Sequence, residues 1–333
     1  MDASKLQHEL FQVIKANIPA SLSVTEEIAK VLDVSVDSVY RRMRGEKTIS
    51  LDELYTLCTH YKISLDSILN IQTGAFSFQG NLIDNSSFRF AEYLSSILKW
   101  MTYFNSFKQK ELYYMCKDIP LFQHFHFREL AAFKYYFWMK TIFYFPDFTS
   151  RKFSFREYPD EVFALGQKNL DIYNQLSITE FWNVEGINST LRQIEFYRDG
   201  DMFESDEDVL KIYIAVEKLL DHLEAQAALG YKYNYNDPEK KPLGSYQMYF
   251  NEVILGDNNQ LLVLDGLKLS LITHTVINYM ITRDLAFNEK MYNHVQNMMK
   301  KSTRISSVSE KERTKFFHAL HERIARRKDS LKL

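Results

Sequence analysis

The stretch that most restricts how this chain can fold is residues 23–47, SVTEEIAKVLDVSVDSVYRRMRGEK, which reads as two short helices joined by a tight turn. Ser23 followed three residues later by Glu26 is a capping-box pattern, so the first helix has a defined start. Ile28, Ala29 and Leu32 form its buried stripe, and Ala29 is small enough for a second helix to cross at close range. Asp33 and Val34 make the turn, with Val34 plugging the core beneath it. Ser35 is the expected cap of the next helix, whose inward face is Val36, Val39 and Met43. Asp37, Ser38, Tyr40, Arg41 and Arg44 remain outward with Arg42 at the flank, and Gly45 ends the helix from the position just past it.

The flanks supply partners for this pair. Residues 3–17 carry Leu6, Leu10, Val13 and Ile14 on one stripe, and Pro19 ends that helix. Ser50 with Glu53 opens a fourth helix by the same capping pattern, with Leu51, Leu54, Tyr55 and Cys58 inward. Ser64 to Leu69 gives a short fifth helix. Residues 72–87 contain Gly74 and Gly80 and lack sustained periodicity, which makes them a linker. The organisation expected is therefore 1–71 as one small helical domain, 72–87 as linker and 88–333 as a second domain.

Residues 5–71, about a fifth of the chain, resemble the helix-turn-helix domain of the lambda-repressor/Cro-like (XRE-type) regulators. The likeness rests on the A-x-x-x-D-V-S run from Ala29 to Ser35, the R-G-E-K exit at Arg44 to Lys47, and the two capped helices ISLDELYTLCTHY and ISLDSIL. Two positions depart from that pattern: the family commonly has Gly where Asp33 stands and an aliphatic residue where Arg42 stands, Met43 taking its place one residue later. The resemblance implies a five-helix DNA-binding domain whose recognition helix, about 35–44, enters the major groove. Arg41 or Arg44 would then reach guanine O6 and N7, while Tyr40, Asp37 and Ser38 test neighbouring base edges. Lys47, Arg42 and the helix start near Ser23 and Thr25 would hold phosphates. A lone headpiece reads few base pairs, so a homodimer formed through the second domain is expected. The other reading of the same surface is a protein-interaction or scaffold module whose arginines dock another protein.

Composition bounds what the rest can be. With 333 residues, 46% hydrophobic and 15% aromatic, the chain has material for sizeable cores and for more than one domain. A formal charge of −2 rules out a general polyanion binder and leaves nucleic-acid contact to local patches. Cys58 and Cys116 are far apart in apolar contexts and read as reduced core thiols of a cytoplasmic protein. The start MDASKLQHEL lacks an apolar signal core, and the most apolar run, YYFWMKTIFYF, is broken by Lys140 and too short to span a membrane.

Residues 88–333 read as a larger, mostly helical α+β domain with a small antiparallel sheet. A long helix over about 87–108 carries the stripe Phe90, Tyr93, Leu94, Ile97, Met101 and Phe104, as a core face or a dimer seam. ELYYMCKDIP reads as a buried strand ending at Ile119 and Pro120. Residues 118–140 lead into an apolar helix and are similar to a segment that follows the same kind of headpiece in other bacterial regulators. Helices follow at about 159–175, 179–198 and 205–229. SYQMYFNEVIL and QLLVLDG around Gly256 to Asn259 read as a β-hairpin near 245–266, KLSLITHTVINYMIT as another strand and a helix, and 285–300 and 309–328 as closing helices, the last capped by Ser309 and Glu312.

Catalytic motifs are missing: there is no G-x-G-x-x-G, Walker A, G-x-S-x-G or H-E-x-x-H, so no enzyme and no cofactor is expected. His124 and His126 with Glu129 lack a clear third ligand and read as ordinary partly buried histidines rather than a metal site. His318 and His321 beside Glu322 read as a solvated helix face. Asp199 and Asp201 in DMFESDEDV lack the glycine and distal glutamate of a calcium loop. From Lys300 onward eleven lysines and arginines face four acids, either as a contact to DNA backbone or as a solubilising helix paired with acidic surface. Tyr135, Phe137, Trp138 and Trp182 mark either a plain aromatic core or the lining of a small-molecule effector site.

Overall fold

The computed structural model describes residues 3–18, 22–61, 63, 65, 76–80, 88–253 and 256–331. The chain divides into two compact units, Met1–Ser77 and Phe78–Leu333. The expected fifth helix over 64–69 and most of the expected linker over 72–87 lie outside the described residues.

In the first unit, helices α1 (Ala3–Asn17), α2 (Val24–Leu32), α3 (Val36–Met43) and α4 (Leu51–His60) close over one core. Leu10, Phe11, Ile14, Ile28, Ala29, Val39 and Leu57 are buried in it. Burial of this kind, and not helix propensity, holds helices of eight to fifteen residues together. Two stripes turn differently from the expectation. Val13 is exposed and Phe11 takes its place, while Leu51 and Tyr55 on α4 are 82% and 73% exposed and its packed face runs through Leu54, Leu57 and Cys58.

The second unit is mostly helical around a seven-stranded sheet. Its helices are α5 (Phe90–Asn105), α6 (Arg128–Phe137), α7 (Asp160–Gln175), α8 (Asn188–Asp199), α9 (Asp206–Leu229), α10 (Leu285–Lys301) and α11 (Glu310–Asp329). The strands are β1 (Lys110–Met115), β2 (Ser177–Trp182), β3 (Tyr246–Phe250), β4 (Gln260–Leu264), β5 (Leu267–Thr275), β6 (Asn278–Thr282) and β7 (Thr303–Arg304), in the order β6-β5-β4-β1-β2-β3-β7.

The sheet is mixed, which corrects the expected small antiparallel one. β1, β2 and β3 run parallel, in register from Leu112 beside Ile178 to Ile178 beside Tyr246, and the flanking pairs are antiparallel. Parallel neighbours need long crossovers, and here α6, α7, α8 and α9 supply them. The expected hairpin near 245–266 does not form: β3 pairs with β2 and β7, and β4 with β1 and β5. Tight hairpins form instead at β4–β5 and β5–β6, the first turned by Asp265 and Gly266 at φ 46° and 88°, the positive values that a two-residue turn of matching twist requires. Residues 177–182 are β2 and not the start of a helix over 179–198, and 278–282 form β6 where a helix was expected.

Alternation along the strands splits the apolar residues between two faces. Leu112 and Tyr114 of β1, Ile178 and Trp182 of β2, and Tyr246 and Met248 of β3 join the large core with α5, α6, α7, α9 and α11. Tyr113, Met115, Phe181, Tyr249 and Leu261 face the other way, against Val295 and Met298 of α10. Beside β6, Gln79 exchanges backbone hydrogen bonds of 2.7 Å with Ile281.

Candidate nucleic-acid interface

The α2–turn–α3 segment forms over the residues expected for it, with departures at Ser23, Val36 and Arg42. Asp33 closes the turn in the left-handed region at φ 52°, and the Val34 amide donates back to the Ala29 carbonyl at 3.1 Å. Aspartate tolerates that conformation better than most residues, which is how the chain dispenses with a glycine there. Ser35 caps α3, its Oγ accepting from the Ser38 amide at 3.3 Å. Ser23 makes no such cap; its Oγ lies 3.3 Å from Thr25 Oγ1, and Thr25 is only 8% exposed. The Thr25 side chain is therefore largely closed to solvent, which leaves the expected phosphate contact at this end of α2 to the backbone amides.

Outward from α3 stand Asp37, Tyr40, Arg41 and Arg44, all exposed, with Lys47 exposed on the loop that follows and Ser38 half-buried. Val36, expected inward, is 37% exposed at the start of the same face. Arg42 departs furthest from expectation. Its side chain is 2% exposed and is bound through Nε and Nη2 to the two oxygens of Glu53, at 3.0 and 2.5 Å, with Nη1 donating to the Ser38 carbonyl at 2.9 Å. Arg42 therefore ties α3 to the start of α4 and is not a phosphate contact. The bidentate hydrogen bond from Arg42 holds the Glu53 carboxyl below its usual range, and Glu53 also completes the capping box with Ser50.

One side chain that the spacing does not single out, Gln7, and the backbone turn at Gly45 fix the loop after α3. Gln7 of α1 donates from Nε2 to the carbonyls of Arg42 at 2.7 Å and Lys47 at 2.8 Å, and its Oε1 accepts from the Ile49 amide at 2.9 Å. Gly45 sits at φ +77° with Ser4 Oγ 3.0 Å from where a Cβ would be, so a larger residue would be strained twice. Between these clamps Glu46 projects toward both outward arginines, its carboxylate 3.8 Å from Arg41 Nε and 3.1 Å from Arg44 Nε.

The second unit holds a different kind of polar centre. Glu180 is wholly buried on the large-core face of β2. Its Oε1 accepts from Tyr173 Oη at 2.6 Å, Gln123 Nε2 at 3.2 Å and Lys232 Nζ at 3.3 Å; its Oε2 accepts from Tyr246 Oη at 2.7 Å and Trp182 Nε1 at 2.8 Å. Burial pushes this carboxyl up, but Lys232 and the phenol and indole donors outweigh it and keep Glu180 below its ordinary range. A lone acid in the apolar strand SITEFW was the available signal for this centre. It places Trp182 in a polar contact, while Trp138 stacks on Phe90 and Tyr135 lies against Phe90 and Tyr158 as core aromatics do.

His124 and His126 lie on a 3-10 turn, Leu121–His126, and not on a strand. His124 Nδ1 lies 3.0 Å from the Leu121 carbonyl, whereas His126 Nε2 lies 3.1 Å from Gln123 Oε1 and its ring packs on His222. Burial, helped by nearby lysines, pushes His124 and His222 down to about 3. Among the described residues no group of three or more His, Cys, Asp or Glu side chains is placed to hold a metal ion, and no helix is long and apolar enough to cross a membrane. The basic carboxyl-terminal helix turns several cations inward to acids: Arg323 to Glu185, Arg327 to Glu195 and Lys328 to Glu217, at 2.8, 2.9 and 2.8 Å.

No family model, curated protein or solved structure matches the chain.

Proposed function

We propose that the chain is a sequence-specific DNA-binding transcriptional regulator of the cytoplasm, with α3 as its reading helix. The observation that carries this is the division of labour along α3. Val39 and Arg42 are buried and hold the helix in place, which leaves Asp37, Tyr40, Arg41 and Arg44 together on its open face. A helix fits the major groove, where a guanidinium bonds guanine O6 and N7 and shorter polar side chains test adjacent edges. Lys47 and the amino end of α2 take phosphates, which set position without reading sequence. The second unit serves dimerisation, giving half-sites spaced by whole helical turns.

A second reading draws on Leu51 and Tyr55, one turn apart and open to solvent on α4, which suit a protein-docking face. Fluorescence polarisation with random duplex at low and moderate salt separates the two, since only DNA binding weakens steeply as salt rises. Selection from a randomised duplex pool then tests specificity and twofold symmetry. Arg41→Ala is expected to erase discrimination at one base position, about 1 to 3 kcal/mol, and Lys47→Ala to weaken all sequences alike. Equal losses on selected and random duplex for both variants would refute the assignment.

A further inference from the structure

We propose that Glu46 is a positioning residue that sets the base specificity of Arg41 and Arg44; this rests on the DNA-binding reading above. The geometry is specific. Glu46 comes nearest to both arginines at Nε, 3.8 Å for Arg41 and 3.1 Å for Arg44. A guanidinium reads guanine with two parallel N–H bonds, and a carboxylate held at Nε leaves the two Nη groups to make them. The carboxylate thus biases the direction of each fork from its Nε side.

The support behind Glu46 is rigid where its own side chain is open. Its amide donates to the Arg41 carbonyl at 2.9 Å, Gly45 supplies the positive φ before it, and Gln7 pins the carbonyls of Arg42 and Lys47 on either side. The Glu46 side chain is itself 48% exposed, against 54% and 61% for Arg41 and Arg44. Long arginines this exposed lose rotamer freedom on binding, and an acid that restrains them beforehand lowers that loss when the guanines are where the forks already point. On random duplex the arginines must swing to phosphates, and the same carboxylate then faces the polyanion and repels it. Glu46 therefore weakens unspecific binding and sharpens specific binding by one contact.

The test is a double-mutant cycle on the full chain with Glu46→Gln and Arg44→Ala, read by competition between the selected duplex and random duplex. Glu46→Gln is expected to lower the preference for the selected site about 5- to 10-fold while affinity for random duplex holds or rises, with a salt dependence steeper by up to about 1 in slope. In the Arg44→Ala background Glu46→Gln is expected to change the preference much less, because the group it orients is gone. Unchanged preference in Glu46→Gln, or an equal loss of preference in both backgrounds, overturns the positioning role while DNA binding stands. Absence of salt-dependent binding by the unaltered protein overturns the underlying reading and the proposal with it. The circular-dichroism melt of the first unit is expected to be unchanged in Glu46→Gln, since the side chain is open to solvent; a lowered melt together with equal losses on both duplexes would make Glu46 a structural residue and refute the proposal.

Discussion

Replacing Arg42 with methionine separates architecture from DNA contact more sharply than any other change in the first unit. Methionine keeps the apolar stem but strips three hydrogen bonds, two to Glu53 and one to the Ser38 carbonyl. Removing one partner of a buried ion pair costs about 3 to 5 kcal/mol. Glu53 keeps 21% exposure, so water re-solvates part of it and the lower end, about 3 kcal/mol, is expected. For a domain of this size that is a fall in melting temperature of about 12 to 24 °C. All three tryptophans, Trp100, Trp138 and Trp182, lie in the second unit, so far-UV circular dichroism must follow this transition while tryptophan fluorescence stays put. The sign with pH follows from Glu53, whose folded pKa Arg42 depresses. Its contribution is present above the unfolded value, about 4.3, and is lost as pH falls through the folded one, so the gap between wild type and variant narrows in acid. The double variant Arg42→Met with Glu53→Gln should recover part of the loss, as no unpaired charge is left. An unchanged melt, with a salt slope for DNA smaller by about 1, would show that Arg42 is a phosphate ligand and refute this account.

Three further outcomes follow from the same geometry. Asp33→Gly should stabilise the first unit by about 0.5 to 1 kcal/mol, because the residue is held at φ 52°; a lower melting temperature would contradict it. Glu180→Gln leaves the Lys232 ammonium buried without its anion and should cost the second unit about 3 to 5 kcal/mol, seen as an earlier tryptophan-fluorescence transition; an unshifted transition would refute the role. His124, His126 and His222 are neutral when folded, burial pushing His126 well down and His124 and His222 to about 3, so the unfolded chain alone takes up their protons below its own value near 6.5. Stability of the second unit is therefore full above pH 6.5 and falls as pH drops toward 3, by about 1.4 kcal/mol per pH unit for each of the three histidines, and His222→Asn should remove about a third of that slope.

The first unit was legible because its rules are local. Capping at Ser35 and Ser50, the small Ala29 at a crossing and the glycine after α3 each act within a few residues, and each stands where the spacing put it. Arg42 was misread because its partner, Glu53, was already spoken for as a cap, and nothing in the spacing shows one carboxylate doing both. In the second unit the strands themselves were mostly readable and their pairing was not. Asp265 and Gly266 form the turn that sterics favour, yet the asparagines at 258 and 259 drew the hairpin to the wrong place. Parallel pairing of β1, β2 and β3 depends on contacts across whole helical crossovers, which no window of sequence contains. The short alternation in SITEFW was lost inside a longer helical pattern, and with it went the one acid that gathers five donors.

Three glutamates show how the surroundings of one chemical group decide what it can do. Glu180 is buried with both oxygens saturated, so its function is to hold Tyr173, Gln123, Trp182, Lys232 and Tyr246 in one arrangement, and any exchange of partners would leave a charge in an apolar interior. Glu53 is nearly as constrained, divided between a guanidinium and a helix cap. Glu46 differs in both respects, since it is half open to water and comes nearest to its two cations at Nε, 3.8 and 3.1 Å away, so its contacts can be traded at little cost. A group able to trade partners is the one through which binding can be tuned. The same reasoning predicts that substitutions at Glu180 and Glu53 will register in melting curves and those at Glu46 in discrimination between duplexes.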